Sequence, residues 1–444
     1  MMLSGWGRYP AIECRLERLR RNEDLWDLAA SHDTLIARGN GRSYGDAALN
    51  PDLTLSMLAM DRMLAFDAAT GLLTCEAGVL LADIIRTFVP RGWFPPVVPG
   101  TKFVTVGGMI AADAHGKNHH RDGTFGAHVA SLTLATADGG VRECSRTDDA
   151  GLFRATLGGM GLTGVILRAS FRLVPIETAF VMAETLPAHD LDEAMALLDA
   201  SGDWPYSVAW IDCLARGAAL GRGLVMRGRF LERAALAATG ATHPLAPPAR
   251  VHWFKVPVDA PSMLLNRASI GLANALYYRR GRMGATARSM HFDRFFFPLD
   301  GVEAWNRLYG RRGFVQYQCV LPLAESASGM AALLERVSTV GQGSFLAVLK
   351  LFGAAGEGLL SFPMKGYTLA LDFPMRSGTP ALFGALDAIT HAHGGRVYLA
   401  KDACCTPERV REGYPGHAAF ELVRTTTPGG RGRFDSMLSR RLAL

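Results

Sequence analysis

Short apolar runs alternate with glycine-rich turns over residues 1–176. Leu53-Thr-Leu-Ser56, Leu72-Leu-Thr-Cys-Glu-Ala77 and Ser131-Leu-Thr-Leu-Ala-Thr136 predict brief strands, with two or three helical segments between them. No regular strand–helix–strand spacing is present, so the class is α+β. From 177 to 395 the runs lengthen. Ser207-Val-Ala-Trp-Ile211, Gly313-Phe-Val-Gln-Tyr-Gln-Cys-Val-Leu321, Phe345-Leu-Ala-Val-Leu-Lys-Leu-Phe352 and Thr368-Leu-Ala-Leu-Asp-Phe373 alternate with amphipathic segments. They predict an antiparallel sheet with helices on one face. The Pro/Ala-rich stretch from Ala238 to Pro248 reads as a mobile excursion from it. From Arg396-Val-Tyr-Leu-Ala-Lys-Asp402 the short-strand style returns, so 396–444 is expected to complete the first unit. There are no internal repeats.

The segment from Pro99 to His120 joins bare backbone to ionisable groups. Gly100, Gly107, Gly108 and Gly116 remove Cβ atoms where a diphosphate or an isoalloxazine ring could lie against the main chain. Thr101 and Thr105 add hydroxyls, and His115, Lys117, His119 and His120 follow. An ordinary Gly-rich loop before a helix is the competing account. Two further segments favour the site. Ala37-Arg-Gly-Asn-Gly-Arg-Ser-Tyr-Gly-Asp-Ala47 follows an apolar run, as a strand emptying into an anion-binding loop does. Gly159, Gly161 and Gly164 spell G-x-G-x-x-G, but a helical stretch precedes them and a strand-like run follows. That order is the reverse of a nicotinamide-dinucleotide fingerprint and argues against NAD.

Composition narrows the remaining classes. With 444 residues, 49% hydrophobic and 20% charged, the chain has the balance of a globular protein of two or three domains. A net charge of +6 is modest, and no RNP, zinc-finger or helix-turn-helix pattern appears, so nucleic acid is not an expected partner. The seven cysteines are scattered without metal-ligand spacing, which suits a reducing compartment and no metal; Cys404-Cys405 is either a reactive pair or a merely tolerated one. The N-terminus lacks a secretory apolar core and no run could span a bilayer, so the expected location is cytoplasmic or peripheral to the inner membrane. One local cluster stands out. Between Leu264 and Phe297, Arg267, Arg279, Arg280, Arg282, Arg288 and Arg294 interleave with Leu272, Leu276, Tyr277, Tyr278 and Phe295. This suits an anionic membrane surface or a phosphorylated lipid, and equally a solvated basic face beside core residues.

The three Gly-rich segments in this order resemble the split FAD-binding fold of the vanillyl-alcohol oxidase (PCMH-type) superfamily, in which residues 1–176 and 396–444 would enclose a substrate domain at 177–395. Gly5-Trp-Gly7, Gly41-Arg-Ser-Tyr-Gly-Asp46, His115-Gly-Lys-Asn-His-His120, Gln316-Tyr-Gln318, Lys350-Leu-Phe-Gly353, Asp372-Phe-Pro374 and Ala400-Lys-Asp402 further resemble the decaprenylphosphoryl-β-D-ribose 2-oxidases. Those are the flavoprotein half of an epimerase making an arabinose donor. The resemblance implies oxidation of the C2 hydroxyl of a lipid-linked sugar phosphate, with an NADH-dependent short-chain reductase as partner. An aldonolactone or alditol oxidase of the same fold, using O2, is the alternative.

The resemblance also assigns residues. FAD would be held by Ala37, Arg38, Gly39, Asn40, Gly41, Arg42, Ser43, Tyr44, Gly45, Asp46 and Ala47, by Gly100, Thr105, Val106, Gly107 and Gly108, by Ala112, Asp113, Ala114 and His115, and by Ile166 and Tyr398. Arg42 stands where many superfamily members carry a flavin-tethering histidine, so FAD is expected to be non-covalent. Ala370 stands where the best-known members carry a cysteine. Lys401 corresponds to an essential lysine and is expected to act as an ammonium, leaving the base among Tyr44, Lys350 and water. Gln316, Gln318 and Lys350 are expected to face one cavity. Lys117, Phe352, Asp300 and Trp210 complete the expected substrate site, although Trp210 equally suits a core.

Overall fold

The computed structural model describes residues 1–237, 243–247, 254–261, 265–284, 286–427 and 430–444. Most of the Ala238–Pro248 stretch, and Leu264, lie outside the described residues. The first 176 residues build two sheets. In a three-stranded parallel sheet, Thr54–Ser56 lies between Leu16–Arg18 and Ile36–Arg38. A five-stranded antiparallel sheet runs Val141–Ser145, Val129–Ala135, Val165–Arg172, Leu72–Glu76 and Met63–Asp67. The helix Leu81–Phe88 buries Leu81, Ile84, Ile85 and Phe88, one stripe of a 3.6-residue period, in the core beside this sheet.

The longer runs form an eight-stranded antiparallel sheet ordered Arg288–His291, Phe180–Ala188, Gly223–Phe230, Tyr206–Ile211, Ala347–Phe352, Gly366–Pro374, Phe314–Pro322 and Arg396–Val397. Alternation along Phe314–Pro322 sorts its faces: Val315, Tyr317, Cys319 and Leu321 enter the main core, while Gln316 and Gln318 point the other way, into a cavity. The helices Leu191–Asp199, Ser326–Val340 and Thr379–Ala392 cover the core side. Ser326–Val340 buries Met330, Leu333, Leu334 and Val337 and stops at Gly341, whose φ of +73° suits a residue without Cβ.

Two expectations change here. The helix Arg267–Met283 packs on the opposite, cavity side beside Trp210 and Leu224, so helices are not confined to one face. The segment 396–444 opens as an edge strand of the large sheet, where Arg396 and Val397 pair with Val320 and Cys319, and meets the first unit at once: Tyr398 donates to Ala112 O at 2.9 Å and Tyr44 N donates to Ala400 O at 3.1 Å. There Phe434 bridges Leu35, and Arg441 pairs with Asp46 at 2.9 Å. Both differences arise from tertiary pairing that periodicity does not encode. Among the described residues no helix is long and apolar enough to cross a membrane.

Candidate active site

The first unit, the outer face of the large sheet and the helix packed on it wall one cavity of about 940 Å³, near the upper end of the ~300–1,000 Å³ usual for small-molecule sites. The first glycine-rich loop lines it with Ala37, Gly39, Asn40, Gly41, Arg42, Ser43, Tyr44 and Ala47. Gly41 has φ of +62°, and a Cβ there would fall 2.3 Å from the Arg38 guanidinium. The N–H groups of Asn40, Gly41, Arg42 and Ser43 have no partner among the described residues, so successive donors border the cavity. The Arg42 guanidinium lies 4.0 Å over the Trp6 ring and 5.3 Å from Phe103, and its Nε is buried without a partner. Gly100, Thr105, Gly107, Gly108, Ala112, Ala114, His115 and Ile166 add to this wall, as do Gly161 and Gly164 of the third segment.

Six expected site residues do not reach the cavity, each for a reason visible in its contacts. Arg38 donates to Ser4 O at 2.6 Å and Ala48 O at 3.2 Å. Asp46 is held by Arg441, and Gly45 packs against the Asp402 carbonyl, where a Cβ would clash at 1.8 Å. Val106 is a core residue. Asp113 accepts from Gly126 N at 3.0 Å and Ser361 Oγ at 2.5 Å. Phe352 packs edge-on against the His115 ring at 4.9 Å and tilted against the His119 ring at 4.4 Å. The second segment also differs in its donors: the N–H groups of Val106, Gly107 and Gly108 go to Val79 O, Ala77 O and Thr105 Oγ1. It offers bare surface rather than hydrogen bonds. His119 and His120 open a short helical turn, His119–Asp122. His119 accepts from Gly353 N and His120 donates to Trp204 O.

The opposite wall is a cross-strand row. Trp210, Val348, Ala370 and Gln318 are successive register partners and all line the cavity. Trp210 fixes its indole by donating to Phe345 O at 3.0 Å. Gln318 Nε2 donates to His115 Nε2 at 3.0 Å, so the imidazole proton sits on Nδ1, and burial holds the ring neutral. Gln316 Nε2 donates to Asp372 Oδ1 at 2.5 Å, which leaves its carbonyl oxygen as an acceptor. Asp372, fully buried and pushed upward by that burial, stood in a sequence motif without an assigned role; an acid inside so apolar a strand is the signal that could have given it one. Trp6 was likewise visible only as part of a motif.

Lys117, Lys350 and Lys401 all line the same cavity. Burial brings Lys350 down to about 8 and Lys117, with Lys350 nearby, to about 7. Lys117 donates to Phe296 O at 3.1 Å. Burial lowers Lys401 as well, but the Asp372 carboxylate opposes it, and its ammonium stands 3.7 Å over the Tyr44 ring. The Tyr44 hydroxyl is pushed well above 10 by burial and Asp372. Asp300, Tyr398, Arg288 and Arg294 also line the cavity, whereas Arg267, Arg279, Arg280 and Arg282 do not.

The free N–H groups of residues 40–43 and the apolar surface around glycines 100, 107, 161 and 164 fit FAD. Residues 18–145 match the FAD binding domain family. The chain is 38% identical over 416 residues to the decaprenylphosphoryl-β-D-ribose oxidase of Mycolicibacterium smegmatis, covering 92% of this chain and 89% of that protein. It is 39% identical over 377 residues to an uncharacterized Streptomyces coelicolor protein, covering 82% of this chain and all of that one. Bovine L-gulonolactone oxidase matches at 33% over 162 residues, 36% of each chain.

Proposed function

The chain belongs to the decaprenylphosphoryl-β-D-ribose oxidase family, and from that premise we propose that it oxidises the C2 hydroxyl of a polyprenylphosphoryl-β-D-ribose to the 2-keto sugar. It is an FAD-dependent oxidoreductase. The observation that carries the substrate reading is a shared cavity, in which flavin-type loops face a wall of Gln316, Gln318 and three buried lysines. A soluble-sugar lactone oxidase is the weaker reading, since likeness to those enzymes covers only about a third of the chain.

FAD, when bound, supplies the acceptor for the hydride lost from C2. The protein's residues manage position and protons. Burial lowers both Lys350 and Lys401, but the Asp372 carboxylate opposes the shift at Lys401, whose ammonium lies 3.7 Å from the Tyr44 ring against 5.9 Å from Lys350 to the Phe352 ring. Lys401 therefore stays an ammonium that orients the sugar hydroxyl and stabilises negative charge, while Lys350, which loses its own proton as pH rises through about 8, takes the hydroxyl proton in its neutral form. Tyr44, with its raised pKa, is no base at neutral pH and serves as the platform under Lys401. Gln316, oriented by Asp372, accepts a sugar hydroxyl. Lys117, Arg288 and Arg294 lie on the cavity wall where the phosphate would leave the sugar site. The keto product needs re-reduction from the other face, which a separate NADH-dependent short-chain reductase would supply, and the lipid tail calls for peripheral contact with a membrane.

The test is an absorption spectrum of the purified protein, anaerobic addition of a prenylphosphoryl-ribose, then acid denaturation. A yellow protein that bleaches with this substrate and releases its flavin into acid is expected. Bleaching by a free alditol or lactone alone would refute the substrate, and flavin retained on the polypeptide would refute non-covalent binding.

A further inference from the structure

The helix Arg267–Met283 has two unlike faces. Ile270, Asn274 and Tyr278 are buried at four-residue spacing; Asn274 donates to Asp212 Oδ1 at 2.8 Å and Tyr278 to Ala188 O at 3.1 Å. Ala273, Asn274 and Tyr277 line the cavity. On the other side Leu272, Leu276 and Met283 are 63, 59 and 73% exposed. At about 100° per residue, positions 272, 276, 279 and 283 share one stripe, opposite the buried face. Arg279 lies in that stripe, and Arg280 and Arg282 flank it. The helix contains no acidic residue, and none of these three arginines has an ion-pair partner among the described residues.

We propose that this helix docks on an anionic bilayer, with Leu272, Leu276 and Met283 entering the headgroup boundary and Arg279, Arg280 and Arg282 on lipid phosphates. Charge decides the occupant. A second copy laid over the same stripe would set arginine against arginine, whereas an acidic lipid surface neutralises all three. Because the inner face of the same helix walls the cavity, docking would bring the site to the surface where a prenyl chain is dissolved. That purpose rests on the substrate reading above; the docking itself does not.

The test uses the full-length flavin-loaded protein and sedimentation with phosphatidylcholine vesicles, with and without phosphatidylglycerol. Binding to the anionic vesicles only, weakened by salt, is expected. The variant Arg279→Gln/Arg280→Gln/Arg282→Gln should lose about a hundredfold in partitioning, and Leu272→Ser/Leu276→Ser should also weaken it. Both should turn over a short-chain, water-soluble prenylphosphoryl-ribose as the parent does, since none of these side chains lines the cavity. A parent that ignores anionic vesicles, variants that bind undiminished, or a dimer broken by the same substitutions without any vesicle binding would each overturn the proposal. A parent that binds vesicles but leaves the short-chain substrate unoxidised would support docking and refute the substrate assignment.

Discussion

Replacing Lys350 with Met should make the protein more stable while crippling it. Burial alone depresses this lysine from 10.5 to about 8, so its charge costs the folded state up to about 3 kcal/mol at pH 7. Because the folded pKa lies below the unfolded one, the cost is complete below pH 8. It fades as pH rises toward 10.5, where the unfolded chain also gives up the proton. Lys350→Met should therefore raise stability at pH 7 by up to about 3 kcal/mol, with water in the cavity reducing that figure, and by under about 1 kcal/mol at pH 10. Urea titrations of parent and variant at both pH values measure the difference. In kinetics, the rise of kcat/KM through pH 8 should vanish in the variant along with most of the turnover. A variant of equal stability at pH 7, or one gaining the same at both pH values, would refute the buried-charge argument. One that kept the alkaline rise in kcat/KM would refute Lys350 as proton acceptor.

Two other substitutions probe the same cavity. Asp372→Asn removes the charge that opposes the burial of Lys401, so the falling alkaline limb of kcat/KM should move to lower pH by about one unit or more; an unmoved limb would show that Asp372 does not sustain the ammonium. All seven cysteines are free and none lines the cavity, so turnover of the parent should resist thiol-selective reagents. Ala370→Cys, placed between Val348 and Gln318, should confer labelling of one additional thiol with matching loss of activity, whereas equal inactivation of the parent would contradict the cavity lining.

What was legible in the sequence was mostly local. Period-two alternation places Gln316 and Gln318 on one face of their strand, and the helix–glycines–strand order around Gly161 is legible too, with the helix Ala150–Thr156 before it and the strand Val165–Arg172 after it. The contacts made across hundreds of residues were not legible. Nothing near Asp46 or Gly45 announces that Arg441 and Asp402 arrive from the other end of the chain, so a loop of apparent ligands includes struts. The N–H groups of Val106 and Gly107 look available until Val79 and Ala77 are seen to take them. Lys401 was found by motif, but its relation to Asp372 and the Tyr44 ring needed three separate segments brought together.

The route of the last fifty residues has a consequence for how the protein is made. Lys401, the Phe434 bridge to Leu35 and the Arg441 pairs with Asp46 and Asp402 all arrive after the rest of the chain has been synthesised. The first glycine-rich loop, among the earliest segments to leave the ribosome, waits for the latest to brace it. A chain cut short before residue 434 lacks that brace, so its first glycine-rich loop would meet a cofactor unsupported.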